Sequence, residues 1–114
     1  MKMKLEQLVS LIEGKVITSF EMPEEIEING GYVSDLLSDV MGNAREGDVW
    51  ITIMRHLNVV AVASLAGISA IIFAKGILPA EAVIQKANEE KICLISSARE
   101  TFTISGILYN LLNT

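Results

Sequence analysis

The chain has 114 residues, 51% of them apolar and 20% charged, with 9 Lys+Arg against 14 Asp+Glu and a net charge of −5. These figures allow one domain, 1–114, with one sizeable core, and they exclude a disordered chain. An acidic chain without a Lys/Arg run lacks the footprint of a nucleic-acid binder. A single Cys93 and a single His56 exclude an intramolecular disulfide, a cysteine zinc cluster and multi-histidine metal sites.

One cysteine fits a reducing, cytoplasmic setting. The first eleven residues hold two lysines and Glu6 and lack a continuous apolar stretch, so they do not read as a signal peptide. The stretch 57–74 carries no charge and has the length of a membrane span. Asn58, Ser64, Gly67 and Ser69 are spread through it, and its halves differ in type. A helix, a glycine stop and a buried strand explain it better than one span.

Leu5, Leu8, Val9, Leu11 and Ile12 recur at helical spacing, and Gly14 stands where the residue past a helix end belongs. The β-branched run 15–18 is a first strand. Residues 19–27 gather Glu21, Glu24, Glu25 and Glu27 around Pro23, as a solvated loop or an acidic docking patch. Ile26 and Ile28 alternate with acids, as in a short edge strand. Asn29-Gly30-Gly31 reads as a turn, Tyr32-Val33-Ser34 as a strand, and Asp35 as the cap of a helix ending at Gly42-Asn43.

After the turn Glu46-Gly47-Asp48, a buried strand covers 49–53 with Trp50 inside it. A helix over 59–66 stops at Gly67, and a strand over 68–74 ends at Lys75-Gly76. Pro79 suits the first turn of a helix running to Glu90. A strand follows over 92–95, and Ser96-Ser97 lead into a last helix carrying Phe102, Ile107, Leu108, Leu111 and Leu112. Gly106 costs that helix about 1 kcal/mol against Ala. Strand and helix alternate from Trp50 onward, and the strands are continuous apolar runs. That order predicts an α/β fold with a mostly parallel sheet of about five strands, covered on both faces.

Ligands of open α/β sheets bind outside the carboxyl ends of the strands. The residues just past each strand are Ser19, then Ser34 and Asp35, then Arg55, His56 and Asn58, then Lys75 and Gly76, then Ser96, Ser97, Arg99 and Thr101. This polar rim suits an anion, although caps and turns use the same residue types. Arg55 reads either as a ligand group or as an ion-pair partner of Asp35 or Asp48. We take Ser34, Asp35, Arg55, His56, Asn58, Ser96 and Ser97 as the candidate ligand-binding set. Catalysis reads poorly. Cys93 lies inside an apolar strand, no nucleophile elbow flanks a serine, and there is no Walker A or GxGxxG pattern. No catalytic residue, metal site or cofactor is expected.

The residues Gly31 to Val40 (GYVSDLLSDV), followed by Gly47 to Thr52 (GDVWIT), resemble the DRTGG-domain and HPr kinase/phosphorylase N-terminal-domain group. Ile71-Ile72-Phe73, the Gly76 turn, Pro79, Ala87, the run from Ile92 to Ser97, and Thr101-Phe102-Thr103 extend the pattern along nearly the whole chain. A more distant similarity, in Ser34-Asp35 and Glu46-Gly47-Asp48, is to the N-terminal domain of the Mur ligases, which holds a UDP group. In the DRTGG family the signature follows a strand ending in Ile-Thr. Here Ile51-Thr52 is present, Arg55 can stand for the signature arginine, and Ile53-Met54 replaces the Gly-Asp.

The resemblance implies a three-layer α/β/α domain with a regulatory or sensing role. The expected function is therefore a stand-alone, cytoplasmic, non-catalytic domain that binds a small anionic or nucleotide-like ligand. The alternative is an accessory module that binds a protein such as a kinase or part of an iron-only hydrogenase system. Neither reading involves nucleic acid or membrane. Finally, Trp50, Phe20, Met22, Met41, Met54 and Tyr32 exceed what one core needs. An edge near Tyr32 and Met22 covered by a twofold copy would make a homodimer, unless the N-terminal helix covers it.

Overall fold

The computed structural model describes residues 3–21 and 26–113. In chain order the elements are β1 (Met3–Lys4), α1 (Leu5–Leu11), β2 (Lys15–Val16), β3 (Glu27–Ile28), β4 (Gly30–Val33), α2 (Leu37–Asn43) and β5 (Asp48–Thr52). They continue as α3 (Asn58–Ala66), β6 (Ala70–Phe73), α4 (Glu81–Glu90), β7 (Cys93–Ser96) and α5 (Thr101–Leu112). The main sheet has the order β2-β7-β6-β5-β4, and β1 and β3 form a separate antiparallel pair. Strands β4 to β7 are parallel, and β2 runs antiparallel on β7. Met22, Pro23, Glu24 and Glu25, the centre of the acidic cluster, lie outside the described residues.

This topology explains the layers. Four consecutive parallel strands, joined by three crossovers of the same hand, send every crossover helix to one face. Accordingly α2, α3 and α4 pack there through Val40, Val59, Val60, Ala63, Val83 and Ala87 against Trp50, Ile71, Phe73 and Leu94. The other face has to be covered from outside that run. It is covered by α1 and α5, through Leu5, Leu8, Ile12, Ile104 and Leu108 against Val49, Ile51, Ile72 and Ile95. The result is a three-layer α/β/α fold. Both sheet faces are dry, so β5, β6 and β7 are buried at every position, and their alternating side chains feed two cores.

The candidate membrane span is α3, a left-handed Gly67 and β6. No helix among the described residues is long and apolar enough to cross a membrane.

Several local expectations need correction. Gly30 and Gly31 are not a turn: they open β4. A Cβ on Gly31 would lie 2.4 Å from Leu108 Cδ2, so the glycine is what lets α5 press onto this strand. Past α1, the left-handed residue is Glu13 (φ 53°), not Gly14. Gly14 instead admits Ile95, whose Cγ2 would stand 2.8 Å from an added Cβ. Pro79 precedes α4, which is capped at Ala80. Asp35 does not cap α2, whose N-cap is Leu36, without a side-chain bond.

The large apolar groups expected at a bare edge are mostly absorbed. Trp50 is fully buried, while Phe20, Tyr32 and Met54 pack half-buried against the two cores. β4 is nevertheless an edge of the sheet.

Past Thr18, the chain leaving β2 is held by a side chain of α4. Asn88 Oδ1 on α4 accepts hydrogen bonds from the Ser19 and Phe20 amides, at 2.8 and 3.1 Å. Asn88→Ala is expected to cost about 1 kcal/mol in urea unfolding, since solvent can reach the freed Ser19 amide. Asn88→Asp, which keeps the oxygen, should recover most of that loss; equal losses in both variants would contradict the account.

Candidate functional site

The parallel run β4–β7 brings the ends of four strands to one edge of the sheet. β4 and β5 pair in the register Val33 to Ile51, so Ser34 and Asp35 emerge beside Thr52 and Ile53. Asp35 Oδ1 accepts from Thr52 Oγ1 at 2.7 Å and from the Ile53 amide at 3.0 Å, which ties the two strand ends together. Thr52 Oγ1 in turn accepts from the Met54 amide at 3.0 Å. Thr52 is not in the candidate ligand-binding set and enters the sequence reading only as the end of the Ile51-Thr52 strand. Its signal was a hydroxyl at the last position of a strand that is otherwise apolar from Val49 to Ile51.

The loop beyond β5 carries Arg55 and His56, and α3 opens on Asn58, all three exposed. His56 Nδ1 accepts from the Asn58 amide at 3.1 Å and so caps the first turn of α3, leaving Nε2 toward solvent. Arg55 forms no ion pair among the described residues. Asp35 is engaged by Thr52 and Ile53. Asp48 lies at the far end of β5, where its Oδ2 accepts from the Arg45 amide. The strand ends expose large apolar side chains: Leu36 (62%) past β4, Ile53 (38%) and Leu57 (47%) on either side of Arg55 past β5, and Leu78 (58%) past β6. Ser34, Asp35, Arg55, His56 and Asn58 thus share the ends of β4 and β5.

Ser96 and Ser97 lie at the same edge, on the far side of β6, but their hydroxyls are committed. Ser96 Oγ donates to the Ile77 carbonyl at 2.9 Å, and Ser97 Oγ donates to the Ile12 carbonyl at 2.8 Å. The reason is topological. From β6 the chain leaves to α4 on one face, and from β7 to α5 on the other. This makes the crevice where such folds usually bind ligands. Here the backbone stitches that crevice: Lys75 N donates to Arg99 O and Gly76 N to Ser97 O, both at 2.8 Å. Arg99 pairs with Glu13. Ser19 is off the rim altogether, because β2 is antiparallel and ends at the opposite edge.

Two clefts flank β4. An apolar one of about 200 Å³ lies between it and α5, lined by Val33, Ile51, Leu108 and Tyr109. A polar one of about 450 Å³ lies at the amino ends of β4 and β5, lined by Asn29, Asn43, Arg45 and Glu46. Beside the latter, Tyr32 donates to Asp39 Oδ1 at 2.8 Å. That bond holds the Asp39 carboxyl below its ordinary range and raises the Tyr32 phenol.

Burial pushes the Cys93 thiol up from 9.0 to about 11, with a smaller opposing effect from the Thr18 hydrogen bond. The fold therefore favours the protonated thiol. Between pH 9.0 and about 11 the unfolded chain has lost this proton and the native chain has not, so Cys93 makes stability fall as pH rises through that window. Cys93→Ala should flatten that part of a stability–pH profile; an unchanged slope would refute the assignment. Among the described residues no group of three or more His, Cys, Asp or Glu side chains could hold a metal ion.

The fold and this edge define a three-layer α/β domain with an open polar and apolar rim at its strand ends. The chain belongs to the DRTGG domain family, whose model matches residues 7–111. It is similar to the solved CBS and DRTGG domains of the regulatory region of Clostridium perfringens pyrophosphatase, crystallised with its activator diadenosine tetraphosphate. The TM-score is 0.75 at 18% identity, over 91% of this chain and 45% of that one. No curated protein matches the chain.

Proposed function

We propose that this DRTGG domain is a cytoplasmic, non-catalytic regulatory module, dimeric in solution, that senses a small anionic, nucleotide-like ligand at the ends of β4 and β5. The observation that carries the reading is Arg55, a guanidinium without an acidic partner among the described residues, set among exposed Leu36, Ile53 and Leu57. Such a rim offers a cation to a phosphate and an apolar shelf to a ring. His56 Nε2 and the side-chain carboxamide of Asn58 add hydrogen-bonding capacity beside it. The activator bound by the pyrophosphatase regulatory region is a ligand of this chemistry. We also place the chain beside the HPr kinase/phosphorylase N-terminal domains, on the residues quoted above.

The test is a thermal-shift series with ATP, ADP, diadenosine tetraphosphate and inorganic phosphate. A ligand at a hundred times its Kd stabilises the native state by about 2.7 kcal/mol, a shift of several degrees. We expect a nucleotide to give that shift, and Arg55→Ala to remove it without lowering the unliganded Tm. No shift with any of them at millimolar concentration would overturn the reading.

The exposed Leu36, Ile53, Leu57 and Leu78 also favour a second reading, an accessory surface for a protein such as a kinase or redox complex. It predicts a partner whose binding is weakened by Leu57→Lys and is indifferent to nucleotides.

A further inference from the structure

Helix α5 has an outer face that nothing in the rim accounts for. Ile104 and Leu108 turn inward and are buried. At 100° per residue, Phe102, Gly106, Tyr109 and Asn113 fall on the opposite side. Phe102 is 89% exposed and Tyr109 72% exposed, the former the most exposed large apolar side chain among the described residues. Between them sits Gly106, where an added Cβ would meet nothing within 4 Å. A mid-helix glycine lowers helix stability relative to alanine. Within one copy no close approach explains it, unlike Gly31 or Gly14. From Thr101 to Asn113 the helix has no charged residue, in a chain of net charge −5.

We infer that this face is where a second copy of the chain docks, about a twofold axis that crosses the two α5 helices at Gly106. Three observations select that occupant. Two acidic copies repel each other, and an uncharged face lets them meet at least cost. A glycine flanked by aromatics lets two helix backbones approach closely while the rings pack beside the crossing. The area is also of the right order. Two aromatics from each copy, at about 150–250 Å² apiece, supply roughly 600–1,000 Å². Stable interfaces bury about 1,200–2,000 Å² in total, so the flanking helix surface has to provide the rest. The inference rests on the dimeric state included in the proposed function and names the surface that makes it.

The test is light scattering of the full chain across micromolar concentrations, with three variants. The parent should show a mass near twice the 12.4 kDa chain mass. Phe102→Asp and Gly106→Leu should each raise the dimer dissociation constant at least about 30-fold, as expected for aromatic anchors and a blocked crossing. Circular dichroism should show both folded, and Gly106→Leu should hold its helicity to a higher temperature as a monomer, because the glycine is gone. Leu65→Lys, at a 75% exposed position on α3, should leave the dimer intact. A dimer indifferent to both α5 variants overturns this interface and leaves the dimeric reading standing. A monomeric parent overturns both.

Discussion

Replacing Trp50 with alanine is expected to cost about 3–5 kcal/mol, because the ring is fully buried between the sheet and helices α2 to α4. Domains of this size are stable by roughly 5–15 kcal/mol, so the variant should lie close to the limit of folding. The side chain does more than fill space. Its Nε1 donates to the Ser34 carbonyl at 2.8 Å, which anchors the end of the edge strand β4 to the middle of β5. Trp50→Phe keeps most of the apolar surface and gives up that bond, so it should cost less, about 1–3 kcal/mol. Urea unfolding with an unchanged m-value would read both losses. An alanine variant within about 1 kcal/mol of the parent would contradict the packing described here.

The centre of the fold was legible because β5, β6 and β7 are buried on both faces. Full burial writes a strand as an unbroken apolar run, and 49–51, 70–74 and 92–95 are such runs. The edge strand was less legible. Gly30 and Gly31 carry a turn signature, and nothing local says that Leu108, far along the chain, occupies the space of the missing Cβ. The same holds at Gly14, where helix-end logic pointed to the right segment and the wrong residue. Glu13 takes the left-handed conformation, while the glycine answers to Ile95. Tertiary close approach and local turn chemistry ask for the same residue, and a single sequence does not separate them.

The rim was legible to the extent that strand ends were. Ser34, Asp35, Arg55, His56 and Asn58 come together because β4 and β5 are parallel neighbours with short connections, a pattern visible in the strand–helix alternation. The direction of β2 was not visible. A strand of two residues, Lys15 and Val16, reads alike either way, and its antiparallel pairing takes Ser19 to the opposite edge. Nor could the sequence show that the crevice beyond β6 and β7 is closed. Ser96 and Ser97 look like free hydroxyls until their acceptors, the carbonyls of Ile77 and Ile12, are seen to come from other segments.

Asp35 shows how a cap signature can hide a different role, and it gives the second large expected effect. Its carboxylate joins two strand ends by accepting from the Thr52 hydroxyl and the Ile53 amide on one oxygen, Oδ1. Hydrogen bonds to a charged acceptor contribute about 1.5–3 kcal/mol, and the solvent exposure of Asp35 places the loss toward the lower figure. Asp35→Ala should therefore cost about 2 kcal/mol. Thr52→Val should cost a similar amount, because Thr52 is buried and its hydroxyl also serves the Met54 amide. The two residues act through one bond, so the double variant should be less destabilised than the sum of the singles, by about 1 kcal/mol. Losses that add to within about 0.5 kcal/mol would show that the bond contributes nothing in solution. The consequence extends to the ligand, since the loop carrying Arg55 starts from the residues that Asp35 holds. If Arg55 has to be presented at a fixed place beside Leu36 and Ile53, Asp35→Ala should weaken nucleotide binding although Asp35 bears the same sign of charge as the ligand. A carboxylate that merely repelled a phosphate would do the opposite, and its removal would tighten binding.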